Sequence, residues 1–355
     1  MPDPIGGFDR PFALAVQERC EAAAAALSRL DQRLPVAWEP IARLLLRSEG
    51  TASSQIEGLR VPVRRLLEVQ LDAAIDDDTA RWVLGNIEAI EQAAADAVRP
   101  MSIDALLAWH SRLMQHSGLP EAYVGRFREE PGWIGGRTPL DAVFVPAPHE
   151  YVPGLMDDLV RFCNRSDLPS VVQAAIVHAQ LETIHPFGDG NGRVGRALIG
   201  WVLRRRKVVD RIVAPISPII ARQRDAYLAG LHDYRHSGLE QWVGWFADVC
   251  VRAADRFDEL ATRAEDLVDS WVQRLADARA DAAARRLLPH LPGTPVLDVR
   301  SAADVAAVSS RAVRDALALL VDRGVLSVTR RSPAGPGRPA NLWVAHEVLE
   351  LFDLG

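Results

Sequence analysis

His185-Pro186-Phe187-Gly188-Asp189-Gly190-Asn191-Gly192-Arg193-Val194-Gly195-Arg196 decides how this chain is read. The segment supplies a base, a carboxylate, three glycines around an amide and two arginines. Glycines let backbone approach an anion closely and present N–H groups to it, and a helix beginning near Arg193 adds its positive end. Arginines three residues apart share a helix face, and their forks suit phosphate oxygens better than lysine does. Histidine titrates near neutral pH, so His185 is the acid/base candidate. The residues read as a phosphate site with its own base. A metal site is the alternative, because His178, Glu182 and His185 fall at i, i+4 and i+7 on one helical face. No second Glu-x-x-His accompanies them, as a bundle carboxylate site requires.

Every fixed position of the pattern His-x-Phe-x-Asp/Glu-Gly-Asn-Gly-Arg-x-x-Arg is matched, and the segment resembles the Fic (filamentation induced by cAMP) family. The resemblance implies that His185 deprotonates a Ser, Thr or Tyr hydroxyl of a target protein. That oxygen then attacks the α-phosphate of ATP, pyrophosphate leaves, and AMP stays on the target. Carried over by position, Asp189 binds Mg2+, the backbone at Gly188, Gly190, Asn191 and Gly192 forms an anion nest, Arg193 holds the α/β phosphates and Arg196 the γ phosphate. Phe187 anchors the loop in the core. Tyr227 falls where the family often has Tyr-Tyr near the adenine, and Leu228 replaces the second tyrosine. Transfer of another nucleotide or of a phosphate, and a transcriptional regulator that uses the domain as a nucleotide sensor, are the competing functions.

Thr51-Ala52-Ser53-Ser54-Gln55-Ile56-Glu57-Gly58 resembles the inhibitory helix of the same family, with Ser53, Glu57 and Gly58 on its fixed positions. The implied Glu57 to Arg196 salt bridge takes away the γ-phosphate ligand and puts a carboxylate in its place. The same glutamate is implied in AMP removal by some members. Between the two motifs, Trp133-Ile134 and Ala142-Val143-Phe144-Val145 flank the turn-rich Gly135-Gly136-Arg137-Thr138-Pro139. We expect a β-hairpin, which in this family is a flap that aligns the target by strand addition.

The whole chain gives the setting. Its 355 residues exceed one typical domain, and 48% hydrophobic content with few aromatics and many alanines points to a mainly α fold. Forty-one basic against 47 acidic residues give a net charge of −6, which argues against the whole protein being a nucleic-acid coat. Cys20, Cys163 and Cys250 are odd in number and widely spaced, and fit free buried thiols in a reducing compartment. The first residues lack a basic start and apolar run, so a cytoplasmic location without membrane insertion is expected.

Helical spacing covers residues 12–34, 41–47, 63–74, 79–98 and 103–114, so 1–100 reads as an N-terminal helical region. Residues 101–238 read as a Fic-type catalytic core, with Val172, Ile176, Ala179 and Thr183 lining one face of the helix before the loop. Residues 239–289 form a helical connector that packs on the core or makes a homodimer seam. Residues 290–355 read as a winged helix-turn-helix: helices 301–307 and 311–323, then strands 325–329 and 341–345 around an Arg/Pro/Gly-rich wing. Seven arginines against four aspartates between Val296 and Ala345 leave duplex DNA open as a partner, with Arg311 and Arg314 at the start of the second helix.

Overall fold

A computed structural model describes residues 1–34, 39–276, 282–331 and 340–353. The expected wing lies largely outside them. The chain runs through α1 (Leu14–Arg33), α2 (Glu39–Ile56), α3 (Val63–Leu71), α4 (Asp78–Asp96) and α5 (Ile103–Met114). It continues with α6 (Val152–Cys163), α7 (Ser170–Ile184), α8 (Asn191–Arg205), α9 (Ser217–Arg222), α10 (Arg224–Arg235) and α11 (Leu239–Arg274). A smaller C-terminal unit holds α12 (Ala282–Leu287), β1 (Val296–Leu297), α13 (Val299–Ala306), α14 (Ser310–Asp322), β2 (Ser327–Arg331), β3 (Ala340–Val344) and α15 (His346–Asp353). Its sheet has order β1-β3-β2, antiparallel throughout, with Val344 opposite both Val296 and Ser327. The fold is mainly helical, and among the described residues no helix is long and apolar enough to cross a membrane.

Three expectations need correction. The segment expected to be helical at 41–47 is one continuous helix from Glu39 through Ile56, because Gly50 lets α2 press on Ile87 of α4 where a Cβ would collide. Helix α7 is not one-faced: Val171 through Ile184 are all buried, since α1, α6, α8, α10 and α11 surround it. The expected hairpin reduces to a single bridge, Ile134 to Phe144. Asp141 accepts from the Arg137 and Thr138 amides, so the intervening chain closes on a side chain rather than on a ladder.

The connector joins two cores rather than lying on one. Trp242, Phe246 and Val249 of α11 sit in the large core, and Trp271 with Leu275 in the C-terminal core. Leu67 of α3 packs with Val296, Leu342 and Val344, so the small sheet also leans on the helix that follows Glu57.

Candidate functional site

The α7–α8 loop lines a cavity of about 1180 Å³, shared with the Ile134–Phe144 bridge, the start of the chain and α10. His185 ends α7 in the left-handed region at φ 51°, its N–H donating to Leu181 O at 2.8 Å. A non-glycine residue there is strained and must be held. Arg128 holds it: Nε donates to His185 O at 2.8 Å, Nη2 donates to Ala147 O, and Nη1 donates to Glu130 O at 3.0 Å. The Arg128 amide also donates to Pro186 O.

Asn191 clamps the loop from inside, accepting from Phe187 N at 2.8 Å and donating to Phe187 O at 2.9 Å. Its side chain is therefore a brace and leaves anion contact to the backbone. His110 stacks on Phe187 with ring centroids 4.0 Å apart. Its Nδ1 accepts from Gly125 N, which leaves Nε2 as the donor to Asp189 O at 3.1 Å. Phe187 is buried as expected of an anchor.

Gly190, at φ 81°, turns the chain into α8, whose first turn carries no side-chain cap. Its amides therefore face the cavity without a competing partner. Asp189 is about half exposed, and its Oδ1 accepts from Gly190 N and, at 3.3 Å, from Arg193 Nη2. A carboxylate with this much open surface suits one ligand position of a phosphate-bridged cation. Gly188 is exposed at the rim.

Arg193 is buried under the Trp82 ring, its guanidinium carbon 4.8 Å from the centroid, and its Nε and Nη1 have no partner. Arg196 is buried too, donating from Nε to Ser53 Oγ at 2.9 Å, and from Nη2 to Ser53 O at 2.9 Å and Glu57 Oε1 at 2.7 Å. A Cβ on Gly192 would collide with that same Glu57 oxygen, so the Glu57 carboxylate lies directly over the nest. Gly58, left-handed at φ 87°, closes the end of α2 just after it.

Burial pushes the Glu57 carboxyl up, but Arg196, with help from Arg193 and His185, holds it below its ordinary value. Burial lowers His185 to about 4, reinforced by Arg128 and Arg235. It is a neutral imidazole at physiological pH, able to accept a proton. Glu182 goes the other way, pushed up to about 7 by burial and by Glu57 against the pull of Arg196.

The metal alternative finds no support in the geometry. His178 Nε2 pairs with Tyr227 Oη at 3.0 Å, Glu182 stands 3.8 Å from His185 Nδ1, and no cluster of three metal-binding groups occurs among the described residues. Tyr227 is buried behind the loop, its hydroxyl also donating to Glu182 at 3.3 Å, although it lines the cavity. His110 and Trp82 were not singled out from the sequence, and Arg128, part of a family-like segment there, was given no role. They sit outside the motif, and their partners are remote in the chain.

The Fic/DOC family model matches residues 100–203, and that of the Fic/DOC family N-terminal segment matches residues 17–95. Protein adenylyltransferase fic-1 of Caenorhabditis elegans is 26% identical over 185 residues, 51% of this chain and 34% of that protein. The probable protein adenylyltransferase aq_aa38 of Aquifex aeolicus is 26% identical over 199 residues, 53% of this chain and 55% of that protein. This chain thus spans about a third to a half of these two relatives. A Fic family protein from Desulfovibrio desulfuricans G20 superposes with TM-score 0.61 at 20% identity, covering 97% of this chain and 98% of its own. C. elegans Fic-1 gives TM-score 0.57 at 19% identity, over 69% of this chain and 72% of its own. Loop, nest and preceding helical region all fall within the matched segments, and the chain belongs to the Fic/DOC family.

Proposed function

We propose that the chain is a protein adenylyltransferase, held at rest by its own Glu57. The observation that carries this reading is the convergence of His185, Asp189, Gly192 and Glu57 on one cavity, with Arg193 and Arg196 immediately behind it. With Glu57 withdrawn, the uncapped α8 amides and both guanidiniums face an incoming polyphosphate. Neutral His185 takes the proton from a target hydroxyl as its oxygen bonds to the α-phosphorus of ATP, the bond to the β-phosphate oxygen breaks, and pyrophosphate leaves. Asp189 would hold Mg2+, which when bound offsets charge on the phosphate oxygens. Fixed amides and arginines supply stabilisation where charge develops, about 3 kcal/mol for a single such donor.

The inhibitory part rests on Glu57 occupying the nest: it neutralises Arg196 and excludes a phosphate from the backbone of Gly192 by charge and by volume. Glu57→Gly is expected to raise AMP incorporation from labelled ATP into the chain itself or a target. Adding His185→Ala should abolish it. Incorporation unchanged by Glu57→Gly would remove the inhibitory role, and a mass gain matching another group would change the reaction.

For the C-terminal unit we infer a winged helix that contacts duplex DNA. The supporting features are the Ser309 cap on α14, the exposed Arg311 and Arg314 in its first turns, and the antiparallel sheet beside it. Anisotropy of a labelled duplex should rise with the full chain at low salt and fall steeply as salt is added. No rise at low salt would dismiss it.

A further inference from the structure

His185 has to gain a proton in surroundings that resist one. Burial and the Arg128 and Arg235 guanidiniums hold the ring below its ordinary value, against the pull of the Glu182 main-chain carbonyl and of Glu57. A base that keeps its proton poorly slows the step in which a hydroxyl becomes a nucleophile. Under the release of Glu57 proposed above, that carboxylate is withdrawn before the reaction starts. Glu182 stays.

Glu182 lies one turn before His185 on α7 and is buried. Its Oε2 is 3.8 Å from His185 Nδ1, and among the described residues no other carboxylate stands within ion-pair distance of that ring. Nδ1 itself is buried and makes no hydrogen bond, whereas 20% of the side chain is exposed, on the cavity. Nε2 is therefore the nitrogen left to meet a substrate. The Glu182 carbonyl is a weaker partner for Nδ1, because it carries no net charge and already accepts from Arg235 Nη2 at 3.2 Å.

The other carboxyl oxygen is held from behind. Tyr227 Oη donates to Glu182 Oε1 at 3.3 Å and lies 3.0 Å from His178 Nε2. Burial lowers His178 to about 3, so its neutral ring donates to the tyrosine oxygen. Hydrogen bonds thus run one way, from His178 through Tyr227 to Oε1, and turn Oε2 toward His185. Arg196 and Arg235 draw Glu182 toward its ionised form, while burial and Glu57 oppose them. Glu182 Oε1 comes within 3.1 Å of a Cβ placed on Gly192, the same point that Glu57 Oε1 overlies. Withdrawal of Glu57 removes this like charge.

We propose that Glu182 is the positioning residue of the base: its carboxylate accepts from His185 Nδ1–H, keeps the Nε2 lone pair toward the target hydroxyl and steadies the imidazolium that forms. The hydroxyl proton passes to Nε2 as the oxygen bonds to the α-phosphorus, and the proton on Nδ1 stays there, shared with Oε2. This role presupposes the AMP transfer proposed above, and it makes Glu57 a gate on the base as well as on the nest.

Kinetics and ring titration of the full chain test the transfer and the pairing separately. In the Glu57→Gly background, adding Glu182→Gln should lower kcat at least about tenfold with KM for ATP little changed. It should also move the acidic limb of the pH–rate profile down by about one unit or more, because the ring then titrates without its anion. Glu182→Asp keeps the charge and should recover part of both effects. The second measurement is NMR of nitrogen-labelled histidine rings in Glu57→Gly without nucleotide, with His185 identified by its loss in His185→Ala. Its neutral ring should carry the proton on Nδ1 and titrate about one unit or more above the same ring in Glu57→Gly/Glu182→Gln. Equal titration in the two proteins, a proton on Nε2, or a pH profile lowered without a shift would each overturn the proposal. No incorporation by Glu57→Gly itself would instead remove the transferase reading, and the ring titration would still decide the pairing.

Discussion

Arg128 braces the α7–α8 loop from outside, as Asn191 does from within. His185 sits in a left-handed conformation that costs a residue with a Cβ about 1–2 kcal/mol, and the Arg128 fork spans the carbonyls of His185, Ala147 and Glu130. Lysine would keep the charge but not the fork. Arg128→Lys in the Glu57→Gly background is therefore expected to lower the rate of AMP incorporation about 100-fold, the cost of a misplacement of roughly 1 Å, with far less effect on nucleotide binding. Separate assays of rate and binding would check it. Glu49 offers a second test at this scale. Buried on α2, it accepts from Ser217 N at 2.7 Å and from Ser217 Oγ, and burial pushes its carboxyl up to about 7. Its folded value lies above its ordinary 4.5, so the folded chain binds the extra proton between those limits and stability falls as pH rises through that window. Glu49→Gln removes this slope. Relative to Glu49→Gln, the wild type should lose on the order of 3 kcal/mol between pH 4.5 and pH 7 and no more above it, read from urea midpoints. The loop from His185 to Arg196 could be picked out in the sequence as a possible phosphate site, and the roles of its residues came from the family resemblance. Arg128 and His110 could not be joined to it there, because their partners lie 57 and 79 residues away and no local period links them.

Helix α2 shows how an element carries a message that its residues only spell. Gly50, Ser53 and Ser54 each have a packing reason to be small or polar inside a helix. Gly50 gives α4 its closest approach, and Asn86 of α4 donates to Gly50 O at 2.8 Å and Ser54 Oγ at 3.0 Å. That seam sets where Ser53 and Glu57 fall on Arg196. Gly50→Ala would force α2 away from Ile87, at a cost of about 1–3 kcal/mol for an overpacked contact. Self-modification should then rise toward the Glu57→Gly level with Glu57 still present, measured with labelled ATP beside a thermal melt. A melt lowered without gain of activity would mean that Glu57 follows Arg196 independently of the helix. Helix existence was readable from apolar periodicity. Helix continuity was not, because a glycine that ends a helix and one that admits a neighbour look alike until the neighbour is placed.

Helix α11 decides how the molecule divides. One end is sealed into the large core by Trp242 and Phe246, and the other seats Trp271 in the C-terminal core, its Nε1 donating to Glu347 Oε2 at 2.8 Å. Arg274 pairs with the same carboxylate at 2.8 Å. The sequence reading ends the connector at residue 289; the change of core comes earlier, inside the unbroken helix, where periodicity carries no mark. Trp271→Ala should therefore act on one core alone. It removes a fully buried indole and one of the hydrogen bonds that Glu347 accepts, a loss of about 3–5 kcal/mol. The large core keeps all of its own contacts, so urea unfolding should separate into two steps. Exchange in α13 and α14 should speed up at low denaturant while α7 and α8 stay protected. Leu67 fixes the further consequence: α3 touches Val296 and Val344 of the small sheet and follows the segment that ends in Glu57. As the small unit loosens, α3 loses its apolar cover, and restraint on Glu57 weakens before the large core melts. Trp271→Ala is thus expected to show raised AMP incorporation below its first unfolding step, and a single concerted transition with unchanged incorporation would show that the two cores are one cooperative unit.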